Sequence, residues 1–109
     1  MKISYKNSKV DLTTTNATTL YTCPNATTAV LSSILVSNDS SSQDTITLTI
    51  TDNASSPATF SLYKLESVGA LSTKELLTRT LVVKDNEILK VTAATANRLH
   101  VVASYMEVE

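Results

Sequence analysis

Residues 45–51 constrain this chain more than any other segment: they read Thr-Ile-Thr-Leu-Thr-Ile-Thr, a strict two-residue alternation. On an extended backbone Ile46, Leu48 and Ile50 share one face, while Thr45, Thr47, Thr49 and Thr51 share the other. A helix would scatter the three apolar residues around its circumference, so the segment predicts a strand with one buried and one wet face. Threonine suits the wet face, because its β-branch favours extended backbone and its hydroxyl stays solvated.

Other segments follow the same logic. The run 29–37, Ala-Val-Leu-Ser-Ser-Ile-Leu-Val-Ser, is more continuously apolar and reads as a strand covered on both faces, with a partner chain as one source of cover. The turn formers Asn38-Asp39-Ser40-Ser41-Ser42 separate it from 45–51, and together the two runs read as an antiparallel hairpin. Further strands are expected at 58–62, 76–83, 88–92 and 99–106, with shorter ones at 10–12 and 19–23. Ser72 followed by Glu75 has the spacing of a helix cap and suggests one helical turn over 72–77. Strand signals broken by polar turns roughly every 8–14 residues predict an all-β, antiparallel β-sandwich, Ig-like or jelly-roll-like, of about 7–8 strands. A length of 109 residues fits one domain. Residues 16–109 are assigned to the sandwich. Residues 1–15 alternate weakly and are expected to form an arm that orders against a neighbouring subunit. Gly69 is the single glycine, so tight turns are expected to depend on Asn and Asp.

Searches for chemistry return little. His100 is the only histidine and lies between Leu99 and Val101, with no carboxylate or second histidine at ligand spacing along the chain. No serine lies in a Gly-x-Ser-x-Gly elbow, and no glycine-rich loop offers a phosphate cradle. Asp39, Asp44 and Asp52 are isolated in sequence and read as turn carboxylates, with a calcium site as the alternative if folding gathers them. Cys23 is the only cysteine, which leaves no internal disulfide and no cysteine-based zinc site. It reads as a small buried apolar residue. The expectation is therefore a non-enzymatic binding domain without cofactor or metal. A net charge of −1 with scattered lysines argues against nucleic-acid binding. No apolar run approaches the length of a membrane span, and the first residues lack the apolar stretch of a secretory signal. Synthesis and folding in a reducing cytoplasm is expected. The tyrosines Tyr5, Tyr21, Tyr63 and Tyr105 are split between interface and core, and Glu107-Val108-Glu109 is expected to be a solvated tip.

The segment from Leu20 to Asn38, Leu-Tyr-Thr-Cys-Pro-Asn-Ala-Thr-Thr-Ala-Val-Leu-Ser-Ser-Ile-Leu-Val-Ser-Asn, resembles a pattern of small virion proteins of tailed bacteriophages. There a Leu-Tyr-Thr-x-Pro strand end leads through a small polar turn into an apolar strand ending in Asn. An alternating strand follows, here 45–51, then a polar turn with an Ile/Leu-x-Val strand, here 85–91, and a last strand ending near a Glu, here 99–107. The sequence departs from the pattern at Cys23, where an aliphatic is common, and at Asn25-Ala26, where the turn usually contains glycine. The resemblance covers about 90 residues from Leu20 onward. It implies a β-sandwich accessory part of a virion: a capsid decoration (cement) protein bound to the major capsid protein, or a neck, tail or fibre-associated protein bound to another virion protein. It also implies a homo-oligomer, a trimer being one form. A carbohydrate-binding adhesive module on a similar sandwich is the alternative from another class, and the absence of Trp counts against it. The expected contact residues are Ile3, Tyr5, Val10 and Leu12 of the arm together with Tyr21, Leu31 and Leu35.

Overall fold

The computed structural model describes all 109 residues. Nine strands form: β1 (Ile3–Asp11), β2 (Thr18–Thr22), β3 (Thr28–Asn38), β4 (Asp44–Thr51), β5 (Thr59–Val68), β6 (Thr73–Glu75), β7 (Leu81–Val83), β8 (Ile88–Ala93) and β9 (Leu99–Val108). They make two antiparallel sheets, one ordered β1-β9-β3-β6 with β7 also paired to β3, the other ordered β2-β8-β4-β5. The sheets pack face to face as a β-sandwich, with one strand or two beyond the expected number.

The alternation at 45–51 resolves as its period requires. Ile46 and Leu48 are buried, and they meet Leu89, Val91 and Ala93 of β8 in the core. The opposing sheet contributes Ala29, Leu31, Ile34 and Val36 from β3 and Leu99, Val101, Ala103 and Tyr105 from β9. The threonines face outward opposite polar residues, Thr47 beside Thr92, Thr49 beside Lys90 and Thr45 beside Ser67. The outer face of this sheet is thus a field of hydroxyls.

The β3–β4 hairpin expected from sequence does not form: β3 and β4 lie in different sheets. The side chain of Asn38 provides the reason. It is buried, and its amide nitrogen donates to the carbonyls of Ser42 and Val68 (2.9 and 3.2 Å). Its oxygen accepts from the amide and hydroxyl of Ser40 (3.0 and 2.8 Å). The turn is fixed around this amide and carries the chain across the sandwich. The chain changes sheet at every connection except β4–β5 and β6–β7.

The apolar run 29–37 is buried on one face only. A bulge at Ser32–Ser33 shifts its register against β9, so Ala29 and Leu31 point inward before it and Ile34 and Val36 after it. A change of phase made two alternating segments look continuous. Glu75 closes the gap this leaves. Its carboxylate accepts from the hydroxyl of Ser33, the amide of Ile34 (2.7 Å) and the amide of Leu77 (3.1 Å). The expected helical turn over 72–77 is absent for the same reason: Glu75 reaches across to β3 rather than back to Ser72, and Thr73–Glu75 pairs with Leu35–Ser37.

Residues 3–11 do not stand apart as an arm. They form β1, the edge strand of the five-stranded sheet, in unbroken register with β9 from Ile3–Val108 to Asp11–His100. Of the expected solvated tip, Glu107 and Val108 belong to β9 and Glu107 is 2% exposed, while Glu109 lies beyond the strand and is exposed.

Candidate docking surface

The outer face of the five-stranded sheet is built by residues whose registers coincide. Tyr5 of β1 lies opposite Met106 of β9, Met106 opposite Val30 of β3, and Val30 opposite Val82 of β7. These four side chains form an apolar row across four strands, because directly paired residues in an antiparallel sheet share a face. Ile3 and Val108 flank it on one side. On the other side comes a polar row, Asn7 beside Ser104, and then Lys9, Val102, Leu35 and Glu75 in line. Tyr5 is 83% exposed, Val82 51% and Ile3 48%. From strand spacing and rise, the face spans roughly 14 by 20 Å, or about 300 Å². The polar row of Asn7 and Ser104 crosses it, so its contiguous apolar part is the strip of Ile3, Val108, Tyr5, Met106, Val30 and Val82. Charged residues rim the face, Lys9 at one edge and Glu75 at the other, as in recognition surfaces with an apolar centre.

The polarity of β1 is reversed relative to an ordinary edge strand. Ile3 and Tyr5 face solvent, while Ser4, Lys6 and Ser8 share the inward face with Glu107, Tyr105 and Ala103. The inward side is therefore held by polar links. Lys6 Nζ lies 2.8 Å from Glu107 Oε1, Tyr21 donates its hydroxyl to Glu107 Oε2 at 2.5 Å, and Ser8 Oγ lies 2.9 Å from the Tyr105 hydroxyl. The rings of Tyr21 and Tyr105 sit 4.3 Å apart, inclined at 45°. Burial pushes the Glu107 carboxyl up, but hydrogen bonds from Lys6 and Tyr21 outweigh it and hold it below the usual carboxylate range. Burial first, and the same hydrogen bond second, drive the Tyr21 phenol far above its ordinary value.

Of the expected contact residues, Ile3, Tyr5 and Leu35 lie on the outer face. Leu12, Tyr21 and Leu31 do not: all three are buried core. Leu12 and Leu31 point between the sheets, and Tyr21 is committed to Glu107. Val10 is partly buried against the core, opposite Val101. The run 29–37 singled out from sequence contains Val30, whereas sequence reasoning missed Val82, Val102, Met106 and Val108. One signal was available, because 99–108 carries apolar residues at both parities, and a strand with only one buried face must show one set to solvent.

Folding brings His100 two carboxylates that its sequence neighbours lack, Asp11 Oδ1 at 3.3 Å and Asp39 Oδ2 at 4.0 Å. The acidic residues weighed for calcium go separate ways. Asp44 is buried and accepts the amide of Thr95 at 3.1 Å, and Asp52 accepts that of Ala58 at 2.9 Å. No group of three His, Cys, Asp or Glu residues is arranged to hold a metal ion. Cys23 is buried, with its thiol donating to the Thr27 carbonyl at 3.3 Å, and burial raises its pKa away from thiolate formation. No helix is long and apolar enough to cross a membrane. No protein-family model matches the chain, and no curated protein matches it as a relative.

Proposed function

We propose that this chain is a structural, protein-binding component of a virus particle, and that it docks through the outer face of its five-stranded sheet. One observation carries the reading: the row Tyr5, Met106, Val30 and Val82 stands on the outside of a sandwich whose core is already complete without it. The other sheet is hydroxyl-rich on the outer face of β4, and its exposed apolar residues, Phe60, Leu62 and Leu65, are confined to the edge strand β5. Exposed side chains of this type gain about 25 cal/mol per Å² when a partner removes them from water. Many modest contacts of this kind, repeated over a lattice, hold an accessory protein on a capsid without a deep pocket. The resemblance over Leu20–Glu107 gives the specific form, capsid decoration on the major capsid protein, with a neck or tail position as the second form.

The test has two parts. The copy number of this chain per particle, read from a gel of purified virions, separates the forms: hundreds of copies support the capsid lattice, and about a dozen or fewer support neck or tail. Absence from the particle rejects the virion reading. Tyr5→Ser and Val30→Ser, both on the outer face, are expected to reduce binding to purified particles by at least about tenfold while leaving the unfolding transition nearly unchanged. Undiminished binding would move the docking surface elsewhere.

A further inference from the structure

We infer that β1 is an exchangeable strand, and that two copies of the chain trade residues Ile3–Leu12 so that each completes the other's sheet. The inference stands independently of the virion reading. It begins with the reversed polarity described above. Because Ser4, Lys6 and Ser8 occupy the inward positions, β1 owes little of its attachment to apolar packing before Val10 and Leu12. Its attachment is the backbone ladder to β9, the Lys6–Glu107 and Ser8–Tyr105 links, and the burial of Leu12. Each of these re-forms identically when the strand arrives from a second copy, so exchange costs no native contact.

The site left on β9 selects its occupant by charge. With β1 in place Glu107 is almost wholly buried and pairs with Lys6 at 2.8 Å, so a sheet edge without β1 would leave this carboxylate with the Tyr21 hydroxyl as its one side-chain partner. A strand that fits must bring a cation opposite Tyr105, a hydroxyl opposite Ala103 and, beyond its end, an aliphatic side chain for the pocket of Leu12. Strand β1 of another copy has all three in register.

The connection permits it. Residues Thr13–Ala17 are all exposed, and their own bonds are local: the amide of Thr13 to the Asp11 carbonyl (3.0 Å), and the amide of Asn16 to Thr14 Oγ1 (3.3 Å). Extended, these residues reach roughly 17 Å, enough to redirect a strand from one sheet edge to another.

The test uses full chains. Asn7 and Ser104 face each other on the outer surface. Lys2 and Glu109 exchange both of their backbone bonds, so by alternation Asn7–Ser104 is a pair without ladder bonds, close enough for a disulfide. Chains bearing only Asn7→Cys are mixed with chains bearing only Ser104→Cys, refolded together at high concentration and oxidised. Exchange predicts a covalent dimer containing one chain of each kind. Adding Lys6→Glu to the first chain should reduce it at least about tenfold, since the half-exposed Lys6 that pairs with Glu107 is replaced by a like charge against that carboxylate. Wild-type chain treated alike should elute as a dimer by light scattering. The inference is overturned if wild type stays monomeric at every concentration, or if the mixed disulfide fails to form. Dimers joined Asn7 to Asn7, or insensitive to Lys6→Glu, would also overturn it, because they indicate edge-to-edge contact without exchange.

Discussion

Leu65 and Leu71 have φ angles of 53° and 52° while their side chains are 63% and 74% exposed. The left-handed region costs an L-residue about 1–2 kcal/mol, and neither side chain recovers that by burial. Glycine is free of the steric cost but loses more chain entropy. Leu65→Gly and Leu71→Gly should each therefore stabilise the isolated domain by about 0.5–1 kcal/mol, read as a higher urea midpoint; a fall in midpoint would mean that these leucines pack. Asparagine at Asn86 (φ 63°) and Asn97 (φ 66°) matches the expectation that a glycine-poor chain turns on such residues. The leucines, and Ala26 at 56°, were not legible, because nothing in a side chain's chemistry announces a conformation it disfavours. Two carboxylates set the acid response. In Glu75, burial raises the pKa, but donors from Ser33, Ile34 and Leu77 prevail and lower it; in Glu107, Lys6 and Tyr21 do the same. A carboxylate whose pKa folding lowers adds stability above its ordinary value of 4.5 and loses it as pH falls through the lowered value. The urea midpoint should be level near neutral pH and fall steadily below about pH 4.5. Glu107→Gln should lower it at neutral pH and make the acid fall shallower.

Among the elements, β3 shows what a sequence can and cannot disclose. Its apolar residues were evident, and its single buried face was not, because the phase change at Ser32–Ser33 hides the period of two. The partner that makes the bulge tolerable, Glu75, is 42 residues from Ser33. Glu75→Ala removes the acceptor of three donors and should cost about 1–3 kcal/mol, measured by chemical unfolding. A loss no larger than that of a neutral surface substitution would show that water serves the bulge as well. Strand β1 teaches the converse. Ile3, Tyr5, Val10 and Leu12 form one apolar set in sequence, yet Ile3 and Tyr5 face out while Val10 and Leu12 face in. The parity of their numbers differs, which is the legible part. Which parity faces the core depends on pairing with β9, nearly a hundred residues away.

At the scale of the whole molecule, the sandwich class was readable because it rests on local periodicity, while the distribution of strands between sheets was not. Only β4 and β5 are consecutive strands paired with each other. Nearly every ladder therefore waits on closure of a long loop, and folding should be slow for the size, on the order of milliseconds to seconds. Stopped-flow refolding that ends within microseconds would contradict this. Leu48→Ala, at the centre of the sandwich, should cost about 2–5 kcal/mol by equilibrium unfolding.

The sheet margins differ from one another. Strand β5 is interrupted by two register shifts, β2 by one, and the far margin of the other sheet is divided between the three-residue strands β6 and β7. Only β1 offers a long, regular margin. Growth by strand addition needs two competent ends, one to receive and one to pass the template on. A molecule with a single such end can join one neighbour and then has nothing left to offer. A single chain joined through it stops at one neighbour, whereas a strand-exchanged pair keeps one β1 margin on each half, and the irregular strands keep every other margin from adding to that.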